Sequence, residues 1–84
     1  MRFMITVQLE IPPERRSEFP VLLEAENAYV AEQLREGQLE AIYYAAGAPT
    51  VWAVVQADSL DAAQRQVEAY PLYPFMRLTY TALR

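Results

Sequence analysis

From Arg2 to Glu10 the chain alternates: Phe3, Ile5, Val7 and Leu9 fall on one side, and Met4, Thr6 and Gln8 on the other. A period of two predicts a strand, here with one strongly apolar face. Pro12 and Pro13 stop it, because proline has no N–H to give to a ladder. The period then changes. In the stretch Ser17 to Gly37, SEFPVLLEAENAYVAEQLREG, the residues Phe19, Leu22, Leu23, Tyr29, Val30 and Leu34 share one stripe at about 100° per residue. That predicts an amphipathic helix with Ser17 as N-cap, Pro20 in the first turn and Gly37 as the terminating C′ residue. A start at Pro13 would bury Pro20 in the helix interior, so Ser17 is preferred. Glu26 projects close to the middle of the apolar stripe and Gln33 lies beside it. A carboxylate there is the one feature of the helix that packing alone does not explain.

Gln38 to Ala46 predicts a second strand, with Leu39, Ala41, Tyr43 and Ala45 on one face and Glu40, Ile42, Tyr44 and Ala46 on the other. Gly47-Ala48-Pro49 is a turn signal, and Thr50 to Ala57 a third strand antiparallel to the second. Val51, Ala53 and Val55 alternate with Trp52, Val54 and Gln56. Both faces are largely apolar, so both call for cover. Ser59 caps a second predicted helix that runs to about Tyr70, with Leu60, Ala63 and Val67 inward. Pro71 ends it. Phe75 to Leu83 is the last strand, reached through Pro71-Leu72-Tyr73-Pro74, whose Tyr73-Pro74 bond is expected trans.

The order β-α-β-β-α-β is that of a ferredoxin-like α+β fold: a four-stranded antiparallel sheet with two helices on one face. No third helix is left to cover the other face. A second copy of the chain, packed sheet to sheet in a dimeric α+β barrel, is the simplest cover. At 84 residues the chain is one domain, 1–84, and a domain this small is often completed by a partner.

Composition narrows the chemistry. There is no cysteine and no histidine. This removes disulfides, Cys/His metal sites and every Ser-His or Cys-His arrangement. All seven basic residues are arginine, so a lysine Schiff base is excluded as well. The net charge of −4, without a basic patch, argues against nucleic acid. No apolar run approaches the roughly 18 residues that span a membrane, and the start lacks a signal-peptide pattern, so a cytoplasmic protein is expected. No cofactor is implied. Glu26 is thereby the leading candidate for proton transfer.

At this point the chain resembles the muconolactone Δ-isomerase family. The matching residues are Met1-Arg2-Phe3, Leu23-Glu24-Ala25-Glu26-Asn27, Leu34-Arg35-Glu36-Gly37, Ala46-Gly47 and, most specific, Pro71-Leu72-Tyr73-Pro74-Phe75-Met76. The likeness runs in register along nearly the whole chain. It implies a cofactor-free shift of a double bond in a small lactone acid, a pocket between helices and sheet, assembly into dimers or higher oligomers, and a helix glutamate aligned with Glu26. The pattern departs from the family at Ala41 and Tyr44, where the family carries His and Arg, and at Arg77, where it favours an acidic residue.

Each candidate has a plain alternative. Glu26 among Leu22, Leu23, Tyr29 and Val30 should have a raised pKa, as suits a base that also returns the proton; otherwise it snorkels to the helix edge or pairs with Arg77. Gln33 either orients a substrate carbonyl or caps a backbone group. Tyr29, Tyr43, Tyr44 and Trp52 either line a pocket or pack the core or a dimer contact. Strand parity allows only one of Tyr43 and Tyr44 to face the helices. Arg77 either binds an anionic substrate, pairs with Glu26 or lies at a dimer rim. Tyr73 and Pro74 form a pocket wall or simply a stiff loop. Two functions stand against each other: an isomerase acting on a small lactone or cyclic acid, and a non-catalytic oligomeric module that binds a small hydrophobic ligand or a protein partner.

Overall fold

The computed structural model describes residues 1–84. Strands β1 (Arg2–Leu9), β2 (Leu39–Tyr44), β3 (Thr50–Gln56) and β4 (Met76–Leu83) form one sheet in the order β2-β3-β1-β4. All three ladders are antiparallel. Helices α1 (Phe19–Glu36) and α2 (Leu60–Glu68) supply the remaining layer. The expected ferredoxin-like α+β arrangement is therefore present, with both helices packed on one side. Val30 of α1 and Ala63 and Val67 of α2 close over Phe3, Ile5, Val7, Leu39, Ala53 and Val55. Ile5 is at the centre of this core, 1 % exposed, with Ala53 and Tyr80 directly across the two ladders. Truncating it to alanine would cost about 2–5 kcal/mol.

The helix boundaries differ from expectation in one instructive way. Ser17 is not the cap of α1. A 3-10 turn over Pro13–Glu18 comes first, and its last bond runs from the Phe19 N–H to the Arg16 carbonyl. Pro20 then falls in the first turn of α1, where its missing N–H is tolerated. The chain thus turns helically from Pro13 without placing Pro20 inside an α-helix. At the other end Gly37 adopts φ 82°, the left-handed conformation foreseen for it. Ser59 caps α2 as expected, its Oγ accepting from the Ala62 N–H at 3.1 Å. Helix α2 stops at Glu68, so Tyr70 lies in the turn beyond it, and Leu60 is largely exposed rather than inward. Leu23 and Leu34 of the predicted α1 stripe are also exposed in part. The buried line of that helix is Glu26, Val30 and Gln33.

Strand β2 breaks the simple alternation. An irregularity between Leu39 and Ala41 puts Leu39 opposite Val55 and Ala41 opposite Val54. One extra residue reverses the parity of everything after it. Leu39, Ile42 and Tyr44 therefore face the helices, and Ala41 and Tyr43 face away.

Candidate functional site

Between α1, α2 and the sheet lies a cavity of about 280 Å³, open at one side. Its floor is the helix-facing side of the strands: Ile5 and Val7, Val51, Ala53 and Val55, and Ile42. Leu23, Val30 and Val67 form the roof, Leu72 and Met76 one end, and Ala45, Ala48 and Pro49 the turn side. Polar groups are few: Glu26, Asn27, Tyr44, Thr50 and Tyr70. Glu26 is the only charged residue in the lining. A mostly apolar hollow with a few convergent polar groups is the usual form of a small-molecule site.

Glu26 is 8 % exposed. The period of α1 turns it inward, and the loop after α2 meets it there. Its Oε1 accepts a hydrogen bond from the Leu72 N–H at 3.0 Å. No protein donor reaches Oε2, and no side-chain oxygen in the fold is both enclosed and unpartnered, so Oε2 keeps access to the cavity. Burial raises the pKa of this carboxyl above its ordinary value, opposed by the Leu72 N–H, which favours the charged form. The result is a carboxylate held at one oxygen and, as a group, more basic than usual.

Three tyrosines surround it. Tyr70 packs edge-on against Tyr29, with ring centroids 4.7 Å apart. Burial, then the charge of Glu26, raises the pKa of Tyr70, and the same two causes in the same order raise that of Tyr44. For Tyr29 burial leads, followed by Glu36 and Glu26. All three hydroxyls are thereby kept as O–H donors. Tyr44 stands at the mouth, 63 % exposed, and Tyr70 lies deeper.

The other sequence candidates divide. Tyr29 does not line the cavity but backs Tyr70 from behind. Gln33 is buried, yet it too lies outside the lining. Tyr43, Trp52 and Arg77 sit on the opposite face of the sheet, since Tyr43 pairs with Trp52, Trp52 with Thr6, and Arg77 with Gln8. None of the three can touch a ligand in this cavity. Strict alternation would group Tyr43 with Leu39 on the helix side; the irregularity at the start of β2 puts Tyr44 there instead, and Tyr44 rather than Tyr43 lines the cavity. Arg77 does not reach Glu26 but binds Glu10, its Nη1 donating to Oε1 at 3.0 Å in the open. Tyr73 begins a short 3-10 turn, Tyr73–Phe75, outside the lining, and its bond to Pro74 is trans.

Asn27, Tyr44, Tyr70 and the Leu72 N–H complete the site around Glu26. Asn27 follows Glu26 in the segment that carries the family resemblance, a signal that was available. Tyr70, the expected end of the second helix, lies in the turn beyond it and lines the cavity. The Leu72 donor is a backbone group, and no side-chain pattern reveals it. No cluster of three or more His, Cys, Asp or Glu capable of holding a metal ion occurs. No helix is long and apolar enough to cross a membrane.

The sequence profile of muconolactone delta-isomerase matches residues 1–84. No curated protein matches the chain in sequence. Among solved structures, a crystal structure of muconolactone isomerase at 3.3 Å resolution superposes with a TM-score of 0.88 at 21 % identity, covering 99 % of this chain and 88 % of that one. The 5-chloro-2-hydroxyhydroquinone dehydrochlorinase of Burkholderia phenoliruptrix, in complex with 2,5-dihydroxybenzoquinone, superposes with a TM-score of 0.77 at 16 % identity, covering 100 % and 94 %. At these identities the two structures establish a shared fold.

Proposed function

The chain belongs to the muconolactone delta-isomerase family, and from that premise we propose that it moves a double bond within a small lactone or cyclic acid, without a cofactor, using Glu26 as a general base. The observation that carries this reading is a basic carboxylate, anchored by one oxygen, in the wall of an otherwise apolar cavity. The two superposable enzymes support it in kind. One is a lactone isomerase, and the other holds a six-membered ring compound.

The chemistry follows from the geometry. A ring of five or six atoms lies between the apolar floor and α1. The ionised Oε2 takes a proton from the carbon γ to the lactone carbonyl, across an intervening C=C bond. Charge spreads through the dienolate to the carbonyl oxygen. The hydroxyls of Tyr70 and Tyr44 and the amide of Asn27 are the donors available to that oxygen, in a site where low polarity strengthens each hydrogen bond. The same carboxyl group then returns the proton to the α carbon, and the double bond comes to rest between the β and γ carbons. Atoms and electrons balance without a co-reactant. The raised pKa serves both halves of the cycle, since a base poised nearer neutrality takes and gives a proton with comparable ease.

In this reading a second copy of the chain covers the outer sheet face, where Trp52 and Tyr43 are exposed beside Met4 and the buried Val54. One observation favours a second function, binding of a hydrophobic ring without turnover: no cation lines the cavity. Turnover of muconolactone by wild type beside Glu26→Gln separates the two. The substituted amide can still accept from the Leu72 N–H but cannot take a proton from carbon. The proposal expects turnover in wild type and a loss of about 10²–10⁴-fold in the variant. Equal rates would overturn the base assignment, and binding without turnover in wild type would favour the second function.

A further inference from the structure

The cavity poses a problem for a lactone acid. Its interior offers one charge, and that charge is negative. A substrate carboxylate placed beside Glu26 would be repelled in a poorly screened environment. The ring can enter, and the anionic arm has to stay outside.

The arginines show where. Four of the seven are already committed: Arg2 to Glu40, Arg15 to Glu18, Arg35 to Glu32 and Arg77 to Glu10. Arg65 on α2 and Arg84 just after β4 do not line the cavity. Arg16 remains. It has no carboxylate at ion-pair distance, and it lines an open recess with Leu9, Ile11, Phe19 and Pro49. Leu9 and Pro49 also belong to the cavity wall, so recess and cavity adjoin along them. The backbone keeps the two neighbours of the 3-10 turn apart in role. Arg15 pairs with Glu18 and lies over the Phe75 ring at 4.8 Å, whereas Arg16 is left for the recess. The end of β1 and the turn before β3 are fixed to each other here by the Leu9 N–H, which donates to the Pro49 carbonyl at 2.9 Å.

We infer that Arg16 is the anchor for the carboxylate of the substrate, holding it outside the cavity while the ring lies over Glu26. A guanidinium suits this task, since its planar fork can meet both carboxylate oxygens. The inference rests on the ring-in-cavity reading above but not on catalysis by Glu26.

The test compares muconolactone with its methyl ester, and the saturated analogue of each, which cannot isomerise and reports binding alone. Wild type is expected to bind the saturated acid more tightly than its ester, and added salt to narrow the gap. Arg16→Ala should weaken acid binding by about two- to fivefold, as for a partly exposed charge pair, and leave ester binding where it was. Arg16→Lys should recover part of the loss. With the reactive pair, the same effect should appear in KM rather than kcat. Glu26→Gln should keep the preference for acid while losing turnover, so failure of the base assignment is read separately. No preference for acid in wild type, or a preference that survives in Arg16→Ala, would overturn the proposal.

Discussion

The two faces of the sheet solve the same packing problem in opposite ways. On the helix side, apolar side chains from every strand are sealed under α1 and α2, and the single charge admitted is Glu26, held by a backbone N–H. On the outer side, Trp52 and Tyr43 lie exposed beside the half-buried Met4 and the buried Val54, while charge is pushed to the margins in the exposed pairs Arg2–Glu40 and Arg77–Glu10. In the proposed reading, the buried charge with one partner serves the chemistry, and the exposed aromatics flanked by ion pairs serve contact with a second copy. Strand parity alone decides which residues join which face. The contrast explains why Glu26 and Arg77, both plausible partners in sequence, have no contact.

Substitutions on the two faces should therefore have separable effects. The largest is expected from Glu26→Gln, which removes turnover by two to four orders of magnitude, with the melting transition intact by circular dichroism. On the outer face, Trp52→Glu should weaken self-association by at least about thirtyfold, as loss of a central aromatic contact does. Sedimentation or sizing would show a monomer, and Glu26 should titrate as before. A wild-type chain that is monomeric at high concentration would break the comparison, because the outer apolar centre would then need no cover.

Smaller effects sharpen it. Glu26→Ala leaves the Leu72 N–H without an acceptor, and should cost about 1–3 kcal/mol in urea unfolding beyond the cost of Glu26→Gln. Glu26 also gives stability a pH dependence. Its folded pKa is raised, so the folded chain holds this proton more tightly than the unfolded chain does. That contribution is fully present below the ordinary value of 4.5 and is lost as pH rises through the raised folded value. The melting temperature of wild type should fall relative to Glu26→Gln over that window, and run parallel to it at more acid pH. Arg77→Ala, which removes an exposed pair on the outer margin, should change neither the melting temperature nor turnover measurably.

Sequence periodicity carried the element order, the inward placement of Glu26 and Gln33, the cap at Ser59 and the positive φ of Gly37, because each follows from local spacing or from one residue's own conformational preference. It did not carry the site as a whole. The extra residue near Glu40 has no signature in apolar spacing, and it alone exchanges Tyr43 for Tyr44 at the cavity. The Leu72 N–H that anchors Glu26 lies 46 residues away in the chain and carries no side-chain mark. The pairing of Arg77 with Glu10, rather than Glu26, follows from the Gln8–Arg77 register of β1 and β4, a long-range fact. Arg15-Arg16 is too short a run to mark a site in the sequence, and only the fold shows which arginines are already paired.

The central claim is that Glu26 works as a desolvated base, and the pH profile of kcat/KM with muconolactone tests it most directly. The account predicts one acid limb, with activity rising as Glu26 loses its proton and a midpoint displaced above the ordinary carboxylate value of 4.5. In Glu26→Gln the residual rate should be flat across that limb. The same limb in the variant, or a wild-type midpoint at or below the ordinary value, would contradict it.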